Sequence, residues 1–357
     1  MTNKPAQDRI TQRIVFAGPH HVELQETAAG NLDSRRPGPR EVRIRTRVSL
    51  MSTGTELTAL TRQFEAGTHW EQWVTYPFYP GYSTVAEVEE IGESVRDIKV
   101  GSRVVARTPH ASDHVIPAEQ LVPTPDEISD EEAAWFALAK IACGGISAAG
   151  ASLTGNSIVD SLAGARVAVV GAGPIGQMTV RWLAALGVAP VTIVDRNQNR
   201  LAMAREGGAT SIIGSHLGER HEELVQVLGA LGGQRPNIVF DTTGNPEILE
   251  RALRIVADHG KVVIVGDTGF PSRQRLTSDV VVRGIGIVGA HDLHARQGGG
   301  WQADHAIVRR FFHLAAAGQF PLAGLITHRF LPSQAEEAYR MAQSSKGQTM
   351  GIVFDWL

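Results

Sequence analysis

The sequence predicts an α/β protein in which a doubly wound parallel sheet is inserted into a mostly-β domain. Three observations carry this. The first third of the 357 residues alternates short β-rich runs with Gly and Pro turns. From Ala165 onward strand-like runs alternate with helical ones, the pattern of a parallel sheet with right-handed crossovers. After about Gly298 the texture becomes mixed again and ends in a strand-like GIVFDW. Residues 1–145 and 298–357 are therefore expected to form one domain and residues 146–297 the other.

In chain order, Gln12 to Phe16, Glu41 to Leu50, Ser83 to Ile91 and Arg103 to Ala106 read as strands, separated by RRPGPR, YPGY and KVGSR. A helix is expected near Ser129, where Ser129-Asp130-Glu131-Glu132 supplies a cap and an acidic first turn ahead of AAWFALAKIACGGI. The runs ARVAVV, IGQMTVRWLAALG, VTIVD, RLAMAREGG, NIVFD, EILERALRIV and KVVIVG then alternate between strand and helix.

Composition narrows the function. The net charge is −3 and the basic residues are scattered, so no face suits nucleic acid or an anionic membrane. The single cysteine, Cys143, excludes an internal disulfide and an all-cysteine metal cage within one chain, which suits a reducing cytoplasm. No apolar run approaches the roughly 18 residues of a membrane span, and the opening MTNKPAQDR is expected to be a frayed tail.

The strongest chemical signal follows the strand Ala165 to Val170. There Gly171-Ala172-Gly173-Pro174-Ile175-Gly176 leads into a helical run, and Asp195 closes the next strand 24 positions after Gly171. Gly171 permits a tight turn, Gly173 lets backbone approach a pyrophosphate, and Gly176 lets helix pack on strand. Asp195 is expected to bond the ribose hydroxyls and repel a 2′-phosphate, favouring NAD over NADP. Arg196 and Arg200 either accept such a phosphate or form a solvated turn.

The succession PGYSTVAEVEEIG, VGSRV, VIPAEQLVPTPDEISDEEAA, GAGPIGQ, FDTTGNPE, GKVVIVG and LITHRF resembles the medium-chain dehydrogenase/reductase superfamily, alcohol dehydrogenase branch, over nearly the whole chain. The resemblance implies a groES-like catalytic domain split around a Rossmann domain. It also implies cofactor contacts at Thr243 and Gly266, and a homodimer or homotetramer. Zinc-dependent members supply a Cys, a His and a Cys or Glu at places that here read Thr53, Tyr82 and about Ala137. Hydroxyls and a methyl do not replace those ligands, and the family's structural zinc needs four clustered cysteines. No zinc is expected.

Something else must then handle the proton. Tyr82 takes the place of the zinc-ligating His and is expected to face the reacting oxygen, unless it merely packs. Its phenol titrates near ~10 and would need a cationic neighbour, for which Lys140, alone in an apolar helical run, is the candidate unless it reaches solvent. Thr55 keeps the hydroxyl that zinc members use to pass a proton, and Glu56 keeps the adjoining acid on the substrate side. His110 is a candidate relay or a surface histidine; Asp113 and His114 read as a surface pair. His291 is a candidate substrate contact, with no third ligand segment to make the nearby His294 and Asp292 a metal site. In FEAGTHWEQWVTYPFYPG, Trp70, Trp73, Phe78 and Tyr79 either stack on a bulky substrate or pack in the core.

The sequence therefore points to a metal-independent, NAD-preferring oxidoreductase acting on a secondary alcohol or ketone of a small molecule, bulky and sugar- or cyclitol-like. Two alternatives stay open: a zinc-free C=C reductase of the enone or quinone type, and a dinucleotide-binding protein without catalysis.

Overall fold

The computed structural model describes residues 10–27, 35–150, 162, 164–215, 217, 221–291, 293–345 and 347–357. MTNKPAQDR and Asp292 lie outside these residues, as does the side chain of His294. The chain forms two compact units, one of Met1–Gln63, His69–Ala137 and Leu325–Leu357, the other of Phe64–Thr68 and Leu138–Gly324. The limits fall at 137/138 and 324/325 rather than 145/146 and 297/298, and the helix Leu293–Ala316 belongs to the second unit.

Fifteen strands occur among the described residues. β1 (Thr11–Gly18), β2 (His21–Thr27), β3 (Glu41–Leu50), β4 (Thr84–Ile91), β5 (Arg103–Ala106), β6 (Asp113–Pro117) and β7 (Val122–Pro123) come first. β8 (Val167–Val170), β9 (Val191–Asp195), β10 (Ser211–Gly214), β11 (Ile238–Asp241), β12 (Lys261–Ile264) and β13 (Gly286–Gly289) follow, then β14 (Ile326–Phe330) and β15 (Gly351–Asp355).

In the first unit the sheet runs β14-β15-β3-β4-β5-β7, with β6 also paired to β3, and β1 and β2 form a separate hairpin. Its core gathers Val42 and Ile44 of β3, Val88 of β4, Val104 of β5 and Leu121 just before β7. Each such side chain contributes roughly 1.5–3 kcal/mol on burial. Two registers align three strand ends: Ser49 lies opposite Thr84, and Thr84 lies opposite Ala106. The expected helix start is present as a capping box, with Ser129 Oγ accepting from Glu132 N at 3.2 Å and the Glu132 carboxylate accepting from Ser129 N at 2.9 Å.

In the second unit the order β10-β9-β8-β11-β12-β13 is parallel throughout. VAVV and IVFD are buried along their whole length, as strands covered on both faces must be. The helix Ile248–Ile255 turns Ile248, Leu249, Ala252, Leu253 and Ile255 inward at three- and four-residue spacing, joining Val170, Val239 and Val262 in one core.

Candidate functional site

Each unit carries half of the expected chemistry. In the second unit β8 runs into Gly171, which adopts φ +96, a conformation that glycine tolerates without strain. The helix Pro174–Ala185 then begins with Gly173 as its N-cap. A Cβ on Gly176 would stand 1.9 Å from the Gly171 carbonyl oxygen, so the helix meets the turn at a distance only glycine allows. Gly173, Pro174 and Ile175 form the half-exposed lip of this turn, where the first N–H groups of the helix have no intrahelical partner.

Thr243 and Gly266 pack into the same place. A Cβ on Gly171 would come within 2.8 Å of Thr243 Cγ2, and one on Gly266 within 2.7 Å of Thr243 N. Thr243 is fixed by Asp241 at the end of β11, whose carboxylate accepts from Thr243 N at 3.0 Å and Thr243 Oγ1 at 2.7 Å. Burial pushes the Asp241 carboxyl up to about 6 even against these two hydrogen bonds.

Asp195 ends β9 with its carboxylate accepting from Ala172 N at 2.7 Å and Asn197 N at 2.8 Å. Arg196 is exposed. Arg200 instead brings Nη1 to 3.7 Å from where a Gly173 Cβ would stand, and burial lowers its pKa while Asp195 opposes that. The structure thus gathers Gly171, Gly173, Gly176, Asp195, Arg200, Thr243 and Gly266 around one turn that can hold a dinucleotide. His291 is exposed just past β13.

In the first unit the β3–β4 register brings the residues after β3 beside those before β4. Tyr82 therefore faces Ser52, and its hydroxyl donates to Ser52 Oγ. Ser52 is the N-cap of the helix Thr53–Thr61, whose Thr55 also hydrogen-bonds the phenol. The β4–β5 register brings Arg107, one residue past Ala106, to the same spot, with Cζ 4.9 Å from the centre of the Tyr82 ring. Burial raises the Tyr82 pKa above its usual value of 10.0; Ser52, Thr55 and Arg107 pull it down and Glu56 pushes it up. The phenol is protonated at neutral pH.

Several expectations change here. Lys140 does not reach solvent: it is buried, with Nζ 2.6 Å from Asp304 Oδ2. The cation at Tyr82 is Arg107. Glu56 is buried and accepts from Ser52 N at 2.7 Å and from the Tyr339 hydroxyl, with His110 Nε2 at 3.1 Å. His110 is no surface histidine; it is fully buried, with Nδ1 2.8 Å from Ser49 Oγ. Asp113 and His114 are buried too, and burial first, then Arg13 and His110, holds the His114 pKa at about 3.

Trp70 belongs to the core, 5.7 Å from Trp73 between ring centres, and Phe78 is likewise buried. Trp73 and Tyr79 remain exposed, with Arg13 5.5 Å over the Tyr79 ring. Sequence reading passed over Ser52, Arg107 and Tyr339. Ser52 adjoins Thr53, which holds the missing ligand's place, Arg107 follows an ordinary strand, and Tyr339 sits buried on an amphipathic helix. Strand registers bring Ser52 and Arg107 to Tyr82, and the packing of the helix Ala335–Ser344 brings Tyr339 to Glu56. Among the described residues no group of three or more His, Cys, Asp and Glu side chains is placed to hold a metal ion.

The pattern of the alcohol dehydrogenase GroES-like domain matches residues 38–126, and that of the zinc-binding dehydrogenase family matches residues 174–295. The chain belongs to the medium-chain dehydrogenase/reductase superfamily. It is an oxidoreductase of that superfamily, with the expected groES-like domain and Rossmann sheet. An L-threonine 3-dehydrogenase of Bacillus licheniformis is 28% identical over 311 residues, spanning 80% of this chain and 85% of the relative. A sorbitol dehydrogenase of Bombyx mori is 29% identical over 190 residues, 53% of this chain and 51% of the relative. An Escherichia coli alcohol dehydrogenase complexed with NADH shares the fold at TM-score 0.76 and 18% identity, with 97% of this chain and 99% of that one covered. A quinone oxidoreductase of Pseudomonas syringae does so at TM-score 0.75 and 20% identity, with the same coverage. No helix among the described residues is long and apolar enough to cross a membrane.

Proposed function

We propose that this oxidoreductase interconverts a secondary alcohol and a ketone with NAD(H), using Tyr82 rather than zinc at the reacting oxygen. The observation that carries the reading is the Tyr82 phenol, hydrogen-bonded to Ser52 and Thr55 beneath the Arg107 guanidinium. A nicotinamide dinucleotide supplies or accepts the hydride when bound. The turn Gly171 to Gly176, with Thr243 and Gly266, would hold its phosphates and Asp195 its ribose hydroxyls. NAD is preferred because Asp195 keeps a carboxylate where a 2′-phosphate would bring further negative charge.

The donor set argues against zinc. Protein zinc sites use thiolate, imidazole and carboxylate, whereas the matching place offers the hydroxyls of Thr53 and Tyr82. The nearby carboxylate and imidazole, Glu56 and His110, are buried and bonded to each other, to Ser52, to Tyr339 and to Ser49. In reduction the Tyr82 hydroxyl gives its proton to the carbonyl oxygen as the carbon gains hydride. Thr55, half-exposed, and Ser52 can return a proton to the phenolate. The substrate is a small molecule larger than a simple alcohol, sugar- or cyclitol-like, for which exposed Trp73 and Tyr79 offer stacking faces. The polyol name of the Bombyx mori relative agrees with this class.

The same reading takes the protein as a cytoplasmic homodimer or homotetramer. β13 is the edge of its sheet, and Val281 and Val282 before it are 86% and 80% exposed. Turnover across polyols, ketones and enones, measured with NAD and NADP after chelator treatment, tests the proposal. Reduction of ketones by NADH with less than stoichiometric zinc is the expected result. Activity confined to enones, or lost together with one zinc per chain, contradicts it.

A further inference from the structure

The Tyr82 ring carries a guanidinium on its face as well as hydrogen bonds at its oxygen, and the proton reading above does not use that charge. Arg107 reaches the ring because Thr84 pairs with Ala106, so the residue leaving β5 comes alongside the residues entering β4. At the start of the helix Thr53–Thr61, Ser52 and Thr55 hydrogen-bond the phenol oxygen and the charge of Glu56 acts on it. Of the two charged groups acting on the phenol, Glu56 opposes its ionisation and Arg107 favours it. The Glu56 carboxylate is already engaged by Ser52 N, His110 and Tyr339.

We propose that Arg107 is a positioning residue for the proton donor: its guanidinium, stacked on the Tyr82 ring, holds the phenol against Ser52 and eases its passage to phenolate. The inference rests on Tyr82 as the donor. In ketone reduction the carbonyl carbon gains a hydride, the carbonyl oxygen takes the phenolic proton, and the O–H electron pair stays behind as phenolate. A cation within a few ångströms of the ring favours that charged product, both through its charge and through attraction to the electron-rich face. The phenol then regains a proton through the hydroxyls beside it.

The test reads the phenol directly. The full-length chain contains four tyrosines, so carbon-13 labelling at Cζ gives four signals, of which Tyr82→Phe removes one. With the fold checked by circular dichroism, Arg107→Gln should deprotonate Tyr82 at higher pH than wild type, and Arg107→Lys, which keeps the charge, should fall between the two. The alkaline limb of the kcat profile should move in the same direction. A Tyr82 signal titrating at the wild-type pH in folded Arg107→Gln overturns the inference. So does an equal shift in the Lys and Gln variants, because packing rather than charge would then be at work. If Tyr82→Phe keeps full turnover while the Arg107 variants shift the titration, the donor assignment fails and the coupling stands. If Tyr82→Phe is inactive and Arg107→Gln shifts nothing, the coupling alone fails.

Discussion

Both units bury a carboxylate, and they satisfy it differently. In the Rossmann unit Asp304 faces the Lys140 ammonium at 2.6 Å, a paired charge held between two helices. In the groES-like unit Glu56 is met by a backbone N–H, the Tyr339 hydroxyl and the His110 ring. The first arrangement sets an ammonium directly against a buried carboxylate. The second is a set of hydrogen-bonding groups, and its Ser52, which gives its backbone N–H to Glu56, takes the Tyr82 hydrogen bond on its side-chain hydroxyl. An ion pair fixes structure, whereas the hydroxyls of Ser52 and Thr55 beside the Tyr82 phenol can each give and accept a proton.

This contrast sets the expected size of each perturbation. Lys140→Met removes the ammonium from beside the buried Asp304 carboxylate and should lower stability by about 3–5 kcal/mol, as loss of one partner from a buried pair does. Urea unfolding measures that loss. The pH profile of the surviving activity should stay where it is, and a shifted alkaline limb would return Lys140 to the proton pathway.

Asp241 gives the next effect. Its carboxyl is raised from 3.8 to about 6 by burial, so its contribution to stability is complete below about 4 and is lost as pH climbs through about 6. The loss amounts to about 3 kcal/mol at the upper end, from about two units at 1.36 kcal/mol each. Asp241→Asn titrates no proton there and should flatten that part of the stability curve relative to wild type. Parallel curves for the two proteins would show that the Asp241 pocket is wetter than its geometry indicates.

Asp195→Ala should be smaller still. It removes the acceptor proposed for the ribose hydroxyls, about 1–2 kcal/mol for a hydrogen bond to a charged group, or roughly tenfold in NAD affinity. The gap between NAD and NADP should narrow as well, because the charge that disfavours a 2′-phosphate goes with it. Direct titration in which wild type already prefers NADP would reverse the assignment to Arg200.

The two units also differ in how far their sequence could be read. The glycine turn, Asp195 and the alternating strands and helices were legible because backbone conformation and close packing restrict the residue types allowed. Gly171 at φ +96 and Gly176 against a carbonyl leave no other choice. The hydroxyl site lacks such a constraint. Tyr82 stood out only as the occupant of a missing ligand's place, and Ser52, Arg107 and Tyr339 come from segments about 55 to 290 positions apart that only strand pairing and packing unite. Lys140 misled for a related reason: a lone lysine in an apolar helix signals a buried partner, and nothing in its own segment reveals that Asp304 supplies it 164 positions later. Trp70 and Trp73, three apart on one short helix, divided between core and surface, which aromatic content alone does not foretell.

The central claim is that a phenol, not a metal, handles the proton at the reacting oxygen. Single-turnover hydride transfer from NADH to a ketone substrate, compared between chelator-treated wild type and Tyr82→Phe, addresses it most directly. The substitution removes one hydroxyl and keeps the ring, so folding and cofactor affinity should be retained while the chemical step slows by about 10²- to 10⁴-fold. Chelation should leave the wild-type rate unchanged. A Tyr82→Phe protein that transfers hydride at the wild-type rate, with a substrate deuterium effect showing that the chemical step is being observed, contradicts the account.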